Sequence, residues 1–214
     1  MKKIILLPFI LITVGISAQK TYPATVYLAN GTSKTGSTAI INNTTSTIKL
    51  KSNSGQDSEK IKRDDITKIN YYDEVVKDSV SFLHSDFIVD YKKSGKPIIK
   101  RSWMRKIYSG ADVSAYVYET NYAGFRSATS VYTATSVQSY YLRHKNELPK
   151  FIFYTHNGFN YFNNKAYTKV INTLVKNFFD DLCPDVTKAY QNNEIILVST
   201  PIPLVNYYEQ KCVK

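Results

Sequence analysis

Val113-Ser114-Ala115-Tyr116-Val117-Tyr118 alternates small or aliphatic side chains with polar or aromatic ones at a period of two. Successive side chains of a strand point to opposite faces, so this spacing predicts a β-strand that presents Val113, Ala115 and Val117 to a core. Val and Tyr also suit a pleated, half-buried surface. Downstream, Ser130 to Leu142 and Phe151 to His156 read as further strands. Upstream, Phe87 to Tyr91 and Pro97 to Lys100 flank the turn Lys92-Lys93-Ser94-Gly95-Lys96 and read as a hairpin.

The same grammar extends to the amino-terminal side. Thr25 to Ala29 runs into Asn30-Gly31, a pair that tolerates positive φ at both positions and so predicts a two-residue type I′ turn. Strands follow at Ser37 to Ile41 and Ser46 to Leu50, separated by the polar pair Asn42-Asn43, and Ser52 to Asp57 reads as a turn. Ile61, Ile66 and Ile69 lie among charged residues and lead into Tyr71-Tyr72, where a core-facing segment is expected.

Beyond Asn157-Gly158 the period changes. Tyr167, Ile171, Leu174 and Phe178 recur at helical spacing, Val170 and Val175 widen the stripe, and Lys165, Lys169, Asn172 and Lys176 fall largely opposite. Pro184 ends that helix, a short helix fits Asp185 to Gln191, and Thr200-Pro201 opens a last one with Leu204, Val205, Tyr208 and Cys212 on one face. The expected fold is therefore α+β, with an antiparallel β-rich portion over residues 19–160 and a small helical portion over residues 161–214.

The amino terminus predicts the compartment. Lys2 and Lys3 precede an apolar run from Ile4 to Val14, and Gly15-Ile16-Ser17-Ala18 forms a small-residue cleavage region, so residues 1–18 read as a cleaved signal peptide. The run is too short to span a bilayer, which takes about 20 apolar residues. With no cysteine at the cleavage site, a periplasmic or secreted protein without a lipid anchor is expected. Cys183 and Cys212 are the only cysteines, and an oxidising compartment favours a disulfide between them. Two free thiols or a metal pair are the competing arrangements, and no histidine neighbours either one.

The formal net charge of +11 loses only Lys2 and Lys3 with the leader and so stays strongly positive. Such an excess concentrates anions at the surface. Lys92, Lys93, Lys96, Lys100, Arg101, Arg105 and Lys106 form an acid-free basic stretch around Trp103, the only tryptophan. Cations beside an exposed indole would hold a glycan or polyanion by charge and cation–π contact; the alternative places Lys on the solvent face and Trp on the core face of one strand. The 18 tyrosines serve strands and sugar stacking equally well.

Sequence signals for catalysis are sparse. Gly31 to Ser37 has the outer glycines of a phosphate loop, but lacks the lysine after the second glycine and leads into a strand. The chain has no Gly-x-Ser-x-Gly elbow, Cys-x-x-Cys pair or His-x-x-x-His spacing. His84, His144 and His156 are the imidazoles from which a site with Asp86 or Glu147 could be assembled. No cofactor is expected.

Several short motifs resemble an uncharacterised family of exported proteins from Bacteroidota-type bacteria. Asn30-Gly31-Thr32, Gly36, Ile48-Lys49-Leu50 and Asp65-Ile66-Thr67-Lys68-Ile69 look like its β module. Tyr140-Tyr141-Leu142-Arg143 with Asn146-Glu147 looks like its later strand and turn. Phe178 to Pro184 and Val205 to Cys212 look like its paired cysteine motifs. The resemblance implies an envelope or secreted protein and assigns no reaction. The function expected is a non-enzymatic envelope or secreted module binding a glycan or other envelope component; the competing expectation is a hydrolase of an extracellular polymer. The partners expected are an anionic glycan, lipopolysaccharide or an envelope protein, rather than nucleic acid.

Overall fold

The segment Val113 to Tyr118 is a strand, yet both of its faces are covered: Val113, Ala115, Tyr116 and Val117 are all buried. A one-sided strand was expected, and the architecture explains the second covered face. The structure, a computed structural model, describes residues 20–52, 57–73, 78–122, 125–126, 131–132, 135–157 and 165–213. The leader expected over residues 1–18 and the boundary expected near residue 160 lie outside them.

In chain order the elements are β1 (Tyr22–Leu28), β2 (Ser33–Thr38), β3 (Thr47–Lys51), β4 (Ser58–Lys62), a 3-10 turn (Arg63–Asp65), β5 (Ile66–Asp73), β6 (Asp78–Tyr91), β7 (Pro97–Ser109), β8 (Val113–Tyr122), β9 (Phe125–Arg126), β10 (Val131–Tyr132), β11 (Thr135–His144), β12 (Lys150–His156), α1 (Lys165–Phe179), α2 (Pro184–Gln191) and α3 (Ile202–Lys211). One sheet of 10 strands runs β12-β11-β8-β7-β6-β5-β1-β2-β3-β4, and β9 pairs with β10. No helix among the described residues is long and apolar enough to cross a membrane.

Strand β12 also meets β6, in parallel, at Lys150 opposite Ile88, and the Ile88 N–H donates to the Pro149 carbonyl at 2.8 Å. Strands β6, β7, β8, β11 and β12 thereby curl into a barrel-like ring. The sheet is mixed, whereas the sequence pointed to an antiparallel one. The reason is topological: an odd number of up-and-down strands closes only by setting two parallel strands side by side. Phe87, Met104, Tyr116 and Tyr141 fill the interior, with Phe87 edge-on to Tyr141 at 4.9 Å.

The other face of β8, β11 and β12 lies under the helices. Val113, Ala115, Val117, Leu142, Ile152 and Phe153 share a core with Ile171, Val175, Phe179, Val186, Leu204 and Val205. Within α1 the buried positions are Ile171, Val175, Phe178 and Phe179. Val170, expected in the stripe, is instead 52% exposed, because the buried face turns toward Val175 and Phe179. Cys183 and Cys212 are disulfide-bonded with Cα atoms 6.1 Å apart, joining the start of α2 to the end of α3 as expected.

At the opposite end, β3 and β4 fold over the sheet. Only Ser37 and Lys51 pair between β2 and β3, and any Cβ at Gly36 would overlap the Lys51 carbonyl oxygen, so glycine permits this close crossing. Ile48, Leu50 and Ile61 then pack with Val26, Ile66, Ile69 and Trp103. Lys49, Lys51, Lys60 and Lys62 remain exposed on the outer side, with Lys49 directly opposite Lys60.

The β1–β2 turn is not the two-residue turn expected. Gly31 alone takes a positive φ of +85° there. The Gly31 N–H donates to Leu28 O at 3.1 Å and the Leu28 N–H to Thr32 O at 2.8 Å. That pattern is a three-residue loop with glycine at its left-handed position. Gly95, with φ of +78°, closes the β6–β7 turn in the same way, through Gly95 N–H to Lys92 O and Lys92 N–H to Lys96 O, each 2.8 Å.

Candidate functional site

Strands β7 and β8 part company along their length. Their pairing reaches only Arg105 opposite Val117. Beyond it Pro97 to Met104 of β7 faces β6 alone, while Tyr118 to Tyr122 of β8 keeps its pairing with β11. The β2–β3 loop enters this fork. The Asn43 side-chain amide donates to Glu119 O at 2.7 Å and to the Tyr118 hydroxyl at 3.2 Å. From β7, the Ser102 hydroxyl donates to Asn43 O at 3.3 Å and the Trp103 indole N–H to Thr45 O at 3.2 Å.

The loop is held by local hydrogen bonds. Asn42 Oδ1 accepts the Thr44 N–H at 3.0 Å and the Thr44 and Thr45 hydroxyls at 2.8 and 3.1 Å. This is the side-chain turn that makes Asn a loop residue. The Tyr71 hydroxyl fastens its other limb, donating to Ala39 O at 2.9 Å and accepting the Ile41 N–H at 3.2 Å. Burial pushes the Tyr71 phenol well above its ordinary pKa, against the Ile41 bond, so it stays a protonated donor.

Between loop and sheet lies a cleft of about 400 Å³. Its aromatic wall is Tyr22, Tyr71, Tyr72, Phe82 and Trp103, extended by Ile40, Val80 and Val117. Its polar part is Asn42, Asn43, Arg105 and Glu119. Arg105 Nη2 lies 2.9 Å from Glu119 Oε1, which also accepts from Gln138 Nε2 at 3.3 Å. An ion pair this exposed contributes about 0–1 kcal/mol; its effect is to hold two planar polar groups at the cleft.

The basic stretch does not form one surface. Lys92, Lys93 and Lys96 sit exposed at the β6–β7 turn. Strand alternation then sends Trp103 and Arg105 to the cleft and Lys100 and Lys106 to the opposite face. Trp103 is 2% exposed, the core-facing alternative, and no open indole stands beside the cations. Lys100 Nζ lies 4.4 Å from the Tyr118 ring centroid and donates to its hydroxyl at 2.7 Å. Burial raises the Tyr118 pKa, but Lys100 and the Thr120 and Asn43 hydrogen bonds outweigh it and leave it lowered. Arg101 lies exposed opposite Asp86.

The histidines are dispersed, and none is among the cleft-lining residues. His84 is buried against Trp103, ring centroids 4.9 Å apart. His156 lies at the end of β12. His144 Nδ1 approaches Glu147 Oε1 at 3.4 Å in the β11–β12 turn, where Lys150 donates to the same carboxylate at 2.8 Å. That Lys150 bond foremost, then His144, holds the Glu147 carboxyl below the usual range, with burial opposing. Among the described residues no group of three His, Cys, Asp or Glu could hold a metal ion.

Burial, followed by Arg101 and Arg63, lowers the His84 pKa from its ordinary 6.5. The unfolded chain therefore takes up a proton near pH 6.5 that the folded chain refuses. Stability contributed by neutral His84 is present above that pH and lost as pH falls below it toward the depressed folded value. Denaturant titrations from pH 7.5 to 5 are expected to show a stability loss that His84→Phe reduces; an unchanged pH slope in the variant would assign the loss to other groups.

Comparison with protein-family models, curated proteins and solved structures finds no match to this chain.

Proposed function

We propose that the protein is an exported, non-catalytic binding module of the cell envelope whose cleft receives a glycan unit. One observation carries this reading: in a cleft of about 400 Å³ the accessible rings of Tyr22, Tyr72 and Phe82, backed by buried Tyr71 and Trp103, meet planar hydrogen-bonding groups from Arg105, Glu119, Asn42 and Asn43. Sugar rings offer apolar C–H faces to aromatic rings and hydroxyls to such polar groups, and small-molecule sites typically combine an apolar lining with a few placed polar groups. The export part rests on the leader-like amino terminus and agrees with the disulfide. The polymer-hydrolase reading has less support, because Glu119 is the one carboxylate among the described cleft-lining residues, whereas glycoside hydrolysis ordinarily takes two.

The single tryptophan lines the cleft, so its fluorescence reports occupancy. Titration with neutral hexose and N-acetylhexosamine oligomers is expected to give a saturable change. Tyr72→Ala and Glu119→Gln are expected to weaken it about tenfold or more, equivalent to about 1.4 kcal/mol. Silence toward every oligosaccharide would overturn the glycan reading, and a response to acyl-chain probes alone would assign the cleft to an apolar ligand.

A further inference from the structure

We propose that Lys106 and Arg143, with Lys68 adding charge nearby, form an anion-binding site at the end of the barrel, built to take a phosphate or sulfate group. The site is separate from the cleft and does not depend on it. Lys106 stands opposite Tyr116 across the β7–β8 ladder, and the Arg143 guanidinium carbon lies 5.4 Å from the Tyr116 ring centroid. Strand alternation puts Lys106 on the same side of β7 as Met104 and Arg143 on the same side of β11 as Tyr141, and both of those side chains are barrel interior. Lys68 lies farther off on β5, opposite Leu83, with its ammonium 5.0 Å from the Tyr27 ring centroid on β1, and adds positive charge to the neighbourhood.

All three cations are partly buried, and among the described residues none of them is in an ion pair. Arg143 Nε is sealed from solvent without a hydrogen-bond partner. The Lys106 ammonium has only the Ser109 hydroxyl, at 3.3 Å. Burial first, then Arg143 and Lys68, lowers the Lys106 pKa. Like charges repel more strongly where solvent is partly excluded, and a buried charge ordinarily has a partner. An oxyanion relieves the repulsion and supplies the acceptor that Arg143 Nε lacks. A guanidinium beside ammonium groups suits a tetrahedral oxyanion in particular. The lysines on the outer side of β3 and β4 carry more charge, but they are fully solvated and need no partner.

The test is thermal unfolding at constant ionic strength, with chloride replaced by inorganic phosphate, sulfate, glucose 6-phosphate or unmodified glucose. Phosphate and sulfate are expected to raise the midpoint by several degrees and glucose to leave it unchanged. A larger shift with glucose 6-phosphate than with phosphate would identify an esterified ligand; an equal shift would identify the free anion. Lys106→Met is expected to abolish the shift and to melt no lower than the native protein in chloride, since it removes repulsion. The triple variant Lys92→Gln, Lys93→Gln, Lys96→Gln is expected to keep it. A shift retained in Lys106→Met, or lost in the triple variant, would overturn the site. Saturable broadening of the phosphate phosphorus resonance by native protein is the companion measurement; it requires no variant, and its absence would equally overturn the proposal.

Discussion

Replacing Phe179 by alanine is expected to lower the unfolding free energy by about 3–5 kcal/mol, the usual range for deleting a fully buried aromatic ring. Phe179 has no exposed surface. Its ring contacts those of Phe178 and Tyr208, with centroids 4.8 and 5.9 Å away, and so joins α1 to α3. Its carbonyl accepts the Leu182 and Cys183 N–H groups at 3.0 and 2.6 Å and sets the exit of the chain from α1. The backbone bonds survive the substitution, so the measured loss isolates the side chain. Urea unfolding followed by far-ultraviolet circular dichroism checks this, and a loss below about 1 kcal/mol would mean that the helical layer closes over the void.

Reduction of the Cys183–Cys212 bond is expected to cost about 3–4 kcal/mol, from the chain entropy that a loop of this span returns to the unfolded state. The cysteines are 29 positions apart, and the loop between them contains all of α2 and α3. Such a loss is a large fraction of the about 5–15 kcal/mol that stabilises a typical domain. The cysteine pair replaced by serine, measured without reductant, is expected to match the reduced native protein. Hydrogen exchange would localise the effect: α2 and α3 are expected to lose protection before the barrel strands. Uniform loss across the chain would show that the helices and the sheet unfold as one unit.

Much of the architecture was legible because its signals are local. The period-two pattern at Val113 to Tyr118 and the helical stripe through Ile171 and Phe178 each follow from one short stretch. Strand β4 was not legible, because Ser58-Glu59-Lys60-Ile61-Lys62 buries only Ile61 and otherwise reads as a charged loop. Strands β6 and β7, of 14 and 13 residues, extend well past the short hairpin expected. Their polar positions, such as His84 and Ser102, are buried by neighbours distant in sequence. Parallel closure of the ring is registered by one ladder pair, Ile88 with Lys150, that no local pattern encodes.

The cleft was less legible than the fold. Trp103 and Arg105 lay in the basic stretch, but their company with Tyr71, Phe82 and Glu119 arises only when β5, β6, β7 and β8 lie side by side. Asn42-Asn43 was readable as a loop. That Asn43 would be drawn into the fork between β7 and β8 was not, since its partners Tyr118 and Glu119 lie 75 and 76 positions away.

The lysines on β3 and β4 bear on how this molecule meets its own copies. Strand β4 ends the ten-stranded sheet, and an end strand offers unpaired backbone groups to any passing strand. A second copy adding on there would bring another set of Lys49, Lys51, Lys60 and Lys62 against the first, compounding the repulsion already present between Lys49 and Lys60. The sheet thus carries its own barrier to edge-to-edge polymerisation. That barrier would be weakest in high salt, where ions screen the ammonium groups over a few ångströms.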